Sequence, residues 1–371
     1  MAITINKAPA GIYPAYNDSY LVFESDLVDN FKAEIEIALL GGEIFTVYPE
    51  AGGEYVFNLL DIVKGLINAD GFRNPDDTYP VGWLEAFPYG YLSLPVVIRT
   101  YNTTTNDTTS PTYTFIRGVK QIDEVIHSNP FQLLHRNTNG VDYNLTYFEG
   151  YPFSFEIARV DALDTVLFRN LNSSDVTAAV ATVTTNTQRI WVDKGTENWT
   201  TTSYLPLTDT LNRLEIDVAL VPAAGSTVTN LNLKKIPSKC GVYLRWFNHA
   251  GGYSYFLFDE FYRDQIKSRE LGSISSNTFL NAPNHVAPSL STGYSGRRTL
   301  TLRATVDANE AEHLRDLFTT PSVQMYNAFE AFQDANFIDV KVTTGYSYSN
   351  KKRLNEVKFT IELPELITPI L

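Results

Sequence analysis

The sequence predicts a mainly β, multi-domain protein built from antiparallel β-sandwich domains with a few short helices. Three observations carry that expectation. Apolar and polar residues alternate with a period of two in widely separated segments. Glycine pairs and clusters of Asn, Asp, Ser and Pro punctuate those segments at turn-like intervals. Helical spacing is confined to two short windows. A chain of 371 residues, 44% hydrophobic and 13% aromatic, holds enough apolar surface for two or three cores.

In chain order, Phe31, Ala33, Ile35, Ile37 and Leu39 alternate with Lys32, Glu34, Glu36 and Ala38, the pattern of a half-buried strand. Gly41-Gly42 and then Ile44, Phe45, Val47 and Tyr48 make it the first arm of a hairpin. After Gly52-Gly53, Leu59, Ile62, Val63 and Leu66 have the spacing of a short helix. "LPVVIRTY" reads as a strand, and the polar run "NTTTNDTTSPT" as a loop. "QIDEVIHSNPFQLLH" is expected to connect to further strands at Phe153, Phe155 and Ile157 and at Leu214, Ile216, Val218 and Leu220. Residues 275–298, rich in Ser, Asn, Pro and Gly, read as a long loop or an arm reaching toward a neighbour. Leu300, Leu302, Ala304 and Val306 then alternate as a strand. Asp307 and Glu310 have capping-box spacing for a helix at about 308–318, whose Ala311, Leu314 and Phe318 share a face and which Pro321 closes. Strands at 338–343 and 357–363 finish the chain. The expected domains are 1–120, 121–236 and 237–371.

Charge and composition narrow the partners. Twenty-nine Lys and Arg against 42 Asp and Glu leave a net charge of -13, which repels a phosphate backbone. The one compact basic cluster, Lys351-Lys352-Arg353, reads as a solvated turn, so no nucleic-acid partner is expected. A single cysteine makes no internal disulfide, and no run of about 18 apolar residues suggests a membrane helix. "MAITINKAPAGIYPAYND" lacks the basic end and apolar core of a secretion signal, so synthesis in the cytoplasm is expected.

The stretch most suggestive of chemistry is "GVYLRWFNHAGGYSYFLFD", 241–259, which follows Cys240 and contains His249. A structural zinc site needs about four ligands, and one Cys with five scattered His does not supply them. Cys240 is therefore expected to be a small buried residue at a strand start, and His249 to sit in a hairpin turn at Gly251-Gly252. In that hairpin Val242, Leu244 and Trp246 share one strand face, with Tyr243, Arg245 and Phe247 opposite. Large apolar groups on both faces imply cover on both sides, by another domain or another subunit. Trp246, Phe247, Tyr253, Tyr255 and Phe256 are the candidate interface. Asp259, Glu260 and Asp264 lie near aromatics and are the carboxylates a glycosidase would use, but 42 acidic residues make such trios common. No catalytic, metal or cofactor site is expected.

"AITINKAPAGIYPAYNDSYLVFESD", "FKAEIEIALLGGEIFTVYP", "GVYLRWFNHAGGYSYFLF", "EAEHLRDLFTTPSVQMY" and "EVKFTIELPE" resemble virion structural proteins of tailed phages infecting Bacteroidetes. That resemblance implies a tail- or baseplate-associated, non-enzymatic subunit of the virion. It would assemble as an oligomeric ring or adaptor whose partners are its own copies, other tail proteins and fibres. Two rival readings differ in kind. A receptor- or carbohydrate-binding fibre protein would use Trp83, Trp191 or Trp199 as platforms for a host-surface glycan, and a polysaccharide-degrading enzyme would use the carboxylate trio. A head-decoration protein is a variant of the first reading.

Overall fold

The computed structural model describes residues 2–27, 29–72, 84–87, 90–122, 124, 131–136, 142–159, 165–172, 185–193, 207, 210–219, 227–237, 239–275, 289–327, 337–343, 345 and 354–366. Within them the fold is mainly β, with several mostly antiparallel sheets and two short α-helices. The chain forms two compact units. The first comprises residues 1–238 and 248–254, the second 239–247 and 255–371.

The first unit begins with β1 (Ile3–Lys7), β2 (Ile12–Pro14), β3 (Tyr20–Ser25), β4 (Lys32–Ile37), β5 (Glu43–Val47), β6 (Tyr55–Asn58) and α1 (Leu60–Ile67). It continues with β7 (Leu84–Ala86), β8 (Tyr91–Tyr101), β9 (Asn106–Thr109) and β10 (Thr112–Ile116). A β1-β3-β6 sheet faces a second sheet ordered β2-β10-β8-β4-β5, with β9 on β8. The β4–β5 hairpin appears at the alternating segment, Ala33 opposite Val47 and Ile35 opposite Phe45. Its turn places Gly41 and Gly42 at φ 76° and 83°, a left-handed geometry that disfavours residues with a Cβ. Ala33, Ile35 and Ile37 meet Leu21, Phe23 and Tyr55 of the facing sheet in one core, which Leu59, Val63 and Ile67 join around α1.

The polar run at 102–112 is not a plain loop. β9 pairs with β8 from Ile98↔Thr109 to Tyr101↔Asn106, and Asn102 Oδ1 accepts from the N–H groups of Thr104 and Thr105 to shape the turn. Backbone pairing and β-branched Thr suffice for such an edge strand without apolar burial.

β11 (Phe131–Leu133), β12 (Asp142–Phe148), β13 (Phe153–Arg159), β14 (Thr165–Asn170), β15 (Thr187–Asp193), β16 (Leu211–Ala219) and β17 (Thr227–Ile236) build a second pair of sheets. One is ordered β11-β13-β15-β7 and the other β12-β17-β16-β14. Rings of Phe155 and Phe168, 6.1 Å apart, join the two across a core holding Ile157, Leu214, Ile216, Leu231 and Leu233. The expected division near residue 120 lies inside the first unit, because β7 crosses it to pair with β15, Leu84 opposite Ile190.

The second unit holds β18 (Val242–Phe247), β19 (Tyr253–Phe258), β20 (Glu260–Ser275), β21 (Ser289–Val306), α2 (Ala308–His313), β22 (Val323–Tyr326), β23 (Phe337–Val342) and β24 (Asn355–Glu362). The tip of the β18–β19 hairpin, Asn248–Ser254, is grouped with the first unit. The seven strands are ordered β19-β18-β22-β23-β24-β21-β20. Phe258, Phe318 and Phe359 meet edge to face at the core, with Ala311, Leu314 and Leu317 buried beside them.

The capping box forms as the spacing predicts. Asp307 Oδ1 accepts from the Glu310 N–H at 2.9 Å, and Glu310 Oε2 from the Asp307 N–H at 2.9 Å. Asp307→Ala is expected to cost about 1 kcal/mol, read as a lower urea midpoint with an unchanged slope.

Residues 275–298 differ from the loop expected of them. Positions 289–298 are the first half of β21 and pair with β20 as far as Ser275↔Ser289, while 276–288 lie outside the described residues. Ser, Gly and Arg dominate this half-strand, so period-two alternation is faint. Its order comes from backbone bonds to β20.

Candidate functional site

All five residues nominated as an interface are buried in the chain itself. Trp246, Phe247, Tyr253, Tyr255 and Phe256 each expose less than a tenth of their surface. The cover that large apolar groups on both faces imply is supplied within the chain, so these five offer little surface to a separate subunit. In the second unit Tyr255 stacks on Tyr243 at 6.0 Å, and Phe256 packs on Phe258 at 5.1 Å. Arg245, on the same strand, is equally buried. Its Nε donates to Gln324 Oε1 at 2.7 Å, and Gln324 Nε2 donates to Asp339 Oδ1 at 2.8 Å. Phe337 lies 3.8 Å under its guanidinium. A polar relay thus crosses β18, β22 and β23, stabilised by charge-assisted hydrogen bonds.

The hairpin tip carries a denser polar cluster, all within the first unit. Asn248 Nδ2 donates to the Leu134 carbonyl at 3.0 Å and to Ser254 Oγ at 3.2 Å, while Asn248 Oδ1 accepts from the Gly252 N–H. Tyr253 N–H donates to Glu156 Oε2 at 2.7 Å, and Arg189 Nε donates to Glu156 Oε1 at 2.8 Å. Glu156 and Arg189 lie opposite each other on β13 and β15 and are fully buried. The Arg189 guanidinium sits between 5.1 and 5.4 Å from the ring centroids of Phe87, Trp191 and Tyr253, a cation–π cage that suits a desolvated cation. Trp191 is buried in this cage and so is unavailable as a sugar platform; Trp83 and Trp199 lie outside the described residues.

His249 does sit in the turn, and its Nε2 lies 2.8 and 2.9 Å from the two carboxylate oxygens of Glu124. Arg136 Nε is 3.7 Å from the same carboxylate. Burial pushes the Glu124 carboxyl up, but the His249 hydrogen bond and charge, the Gln121 N–H and Lys120 together bring it below its ordinary value. Burial in turn lowers the Lys120 ammonium. A carboxyl lowered by folding stabilises the protein fully above its unfolded pKa, and that contribution is lost as pH falls through the folded value. Glu124→Gln is accordingly expected to destabilise at pH 7, with the gap to the parent narrowing below about pH 4.5. Urea melts at pH 7, 5, 4 and 3 measure it.

Cys240 is exposed, not buried as its place before a strand suggested. Each carboxylate of the trio faces a cation. Asp259 bonds Lys239 at 2.7 Å, Glu260 bonds Arg303 at 2.6 Å, and Asp264 bonds Arg298 at 2.7 Å. The Arg298 hydrogen bond outweighs desolvation and holds the Asp264 carboxyl below its usual range. Among the described residues no three of His, Cys, Asp and Glu gather as metal ligands, and no helix is long and apolar enough to cross a membrane.

The surface that remains conspicuous is the β20–β21 ribbon. β24 accompanies β21 only from Thr299 to Val306, and Leu363 and Leu366 bond its Arg298 and Gly296 carbonyls. Beyond them the described ribbon pairs only with itself. From Arg269 to Ser275 that part extends about 20 Å at an ordinary strand rise. Ile266, Leu271, Ile274 and Tyr294 expose 62%, 55%, 59% and 47% of their surface.

No family model and no curated protein matches the chain. Solved structures similar to parts of it include a chimeric titin Z1Z2-Z1Z2 tandem, 9% identical, covering 63% of this chain and 100% of that one at a TM-score of 0.19. The N-terminal four Ig domains of Dscam1 isoform 6.44 are 11% identical, with 80% and 68% covered at 0.18. A Ca2+-stabilized adhesin with which an Antarctic bacterium binds ice is 8% identical, with 98% of each chain covered at 0.18. Scores this low carry no argument about function, and the β fold rests on the sheets themselves.

Proposed function

We propose that this chain is a non-enzymatic structural subunit of a tailed-phage virion, associated with the tail or baseplate, that works by assembling into an oligomeric ring or adaptor. The observation that carries the reading is the β20–β21 ribbon. A two-stranded ribbon is marginal in water, and one bearing four exposed large apolar side chains gains stability when another surface covers it. Two further features favour assembly over chemistry. Charges in the aromatic hairpin and on its buried neighbours are engaged in packing relays, and the acids nearest a glycosidase pattern are neutralised by facing cations. The resemblance of the quoted segments to phage structural proteins supplies the setting.

Antibody labelling and quantitative mass spectrometry of particles, purified from cells expressing the chain's gene with its natural neighbours, test the reading. A fixed copy number per particle is expected, with label at the tail end. A chain abundant in the lysate but absent from washed particles would sink the proposal.

A further inference from the structure

We propose that the outer face of the sheet formed by β5, β4, β8 and β9 binds a neutral saccharide chain, a ligand site independent of the assembly reading above. Alternation sets this face. Ala33, Ile35 and Ile37 of β4 and Val96 and Ile98 of β8 turn into the core, so Lys32, Glu34 and Glu36 turn outward with Tyr101, Arg99 and Val97 opposite them. On the other side of β4, Glu36 faces Ile44 and Glu34 faces Thr46, and the same register brings Tyr48 alongside Lys32. Tyr48 and Ile44 expose 69% and 52% of their surface.

Four charges on this face hold one another in place. Lys32 Nζ donates to Glu34 Oε1 at 2.8 Å, the Tyr101 hydroxyl donates to Glu34 Oε2 at 2.7 Å, and Arg99 Nη1 donates to Glu36 Oε2 at 2.6 Å. Lys32 Nζ also stands 4.8 Å over the Tyr101 ring, which leaves Tyr48 as the open aromatic. Ion pairs as exposed as these add little to stability. Their effect is to fix the direction of groups that can bond further. Among the described residues the Arg99 side chain donates only through Nη1, so most of its five N–H groups stay open, as does Glu36 Oε1. The same bonds hold the Glu34 carboxyl below its usual range, Lys32 first and Tyr101 second, so it stays a charged acceptor at neutral pH. A saccharide ring has an apolar C–H face and a rim of hydroxyls. Tyr48 suits the first, and the oriented carboxylates and guanidinium suit the second through charge-assisted hydrogen bonds. Charge selects a neutral chain. Lys32 and Arg99 cancel Glu34 and Glu36, so an ionic ligand gains no net attraction here, and the overall charge of -13 repels an anionic one. A protein partner fits less well, because Ile44 and Tyr48 are too little apolar surface for the centre of an interface.

Native gels of the full chain, cast with mannan, dextran, galactan, xylan, laminarin or the anionic alginate, test the site, with titration of the polysaccharide that retards most. Retardation by at least one neutral polysaccharide is expected, and its affinity should not change with salt. Tyr48→Ala should weaken binding about tenfold, and the double variant E34Q/R99M about 100-fold. Both should melt within about 2 °C of the parent, since neither touches a core. Tyr294→Ala, which removes an exposed tyrosine of the second unit, should bind as the parent does. Retardation by none of the neutral polysaccharides, retardation by alginate alone, or parental affinity in both face variants overturns the proposal. The copy number of the chain in particles is a separate measurement, so the saccharide site and the virion reading can fail independently.

Discussion

Glu156→Ala is expected to destabilise the first unit by about 3–5 kcal/mol, since it removes the carboxylate that faces a fully buried guanidinium. For a unit of this size that lowers the melting temperature by on the order of 10 °C. The loss exceeds one hydrogen bond because Glu156 serves two donors at once, Arg189 Nε and the Tyr253 N–H. The aromatic cage around Arg189 attracts the cation but does not neutralise it. Glu156→Leu combined with Arg189→Met should recover much of the loss, since an apolar pair carries no desolvation penalty, although Tyr253 N–H would still lack its acceptor. Thermal melts of the parent, the two single variants and the double variant close the cycle. A double variant no better than the worse single one would mean that hydrogen bonding to the tip, rather than the ion pair, dominates.

The second large effect is expected at Gly252. A Cβ there would lie 2.5 Å from the Leu134 carbonyl oxygen, 2.8 Å from Glu156 Oε2 and 3.0 Å from Leu134 Cβ. The nearest of these is backbone and cannot rotate aside, so Gly252→Ala should cost about 3 kcal/mol. Gly53→Ala is the contrast. Its φ of 87° strains any residue with a Cβ, but nothing lies within 4 Å of the added methyl. Its cost should stay near 1 kcal/mol, the strain alone. Equal losses at the two sites in urea unfolding would show that close approach is not what demands glycine at the tip.

How much of this was legible in the sequence depended on whether the signal was local. Alternation at 33–37 and 300–306, the helix at 60–67 and the Asp307–Glu310 box all appear where their spacing put them, since each reflects burial or capping within a few residues. β9 and the outer half of β21 were hidden because each is ordered by backbone bonds to a partner strand, which side-chain polarity does not record. β7 was hidden for a related reason. Its partner β15 lies about 100 residues away, so the sheet it joins cannot be inferred from its own three residues. The hairpin is legible as a hairpin, and so is the burial of both its faces, but not that this chain itself supplies the cover. The charged residues beneath it were missed. "FSFEIAR" and "TQRIWVD" place Glu156 and Arg189 at strand positions that look solvent-facing by alternation, and only the pairing of β13 with β15 brings them opposite each other. An acid in the interior of one strand and a base in the interior of the other, Glu156 and Arg189, are the one available clue.

The membership of Asn248–Ser254 in the first unit bears on the order in which the protein can be made. A ribosome releases residue 238 before the tip, and at about 5–20 residues per second the missing segment follows roughly one to three seconds later. Until then Glu156 lacks its Tyr253 donor and Glu124 its imidazole, so the amino-terminal portion waits, nearly built, for a keystone encoded downstream.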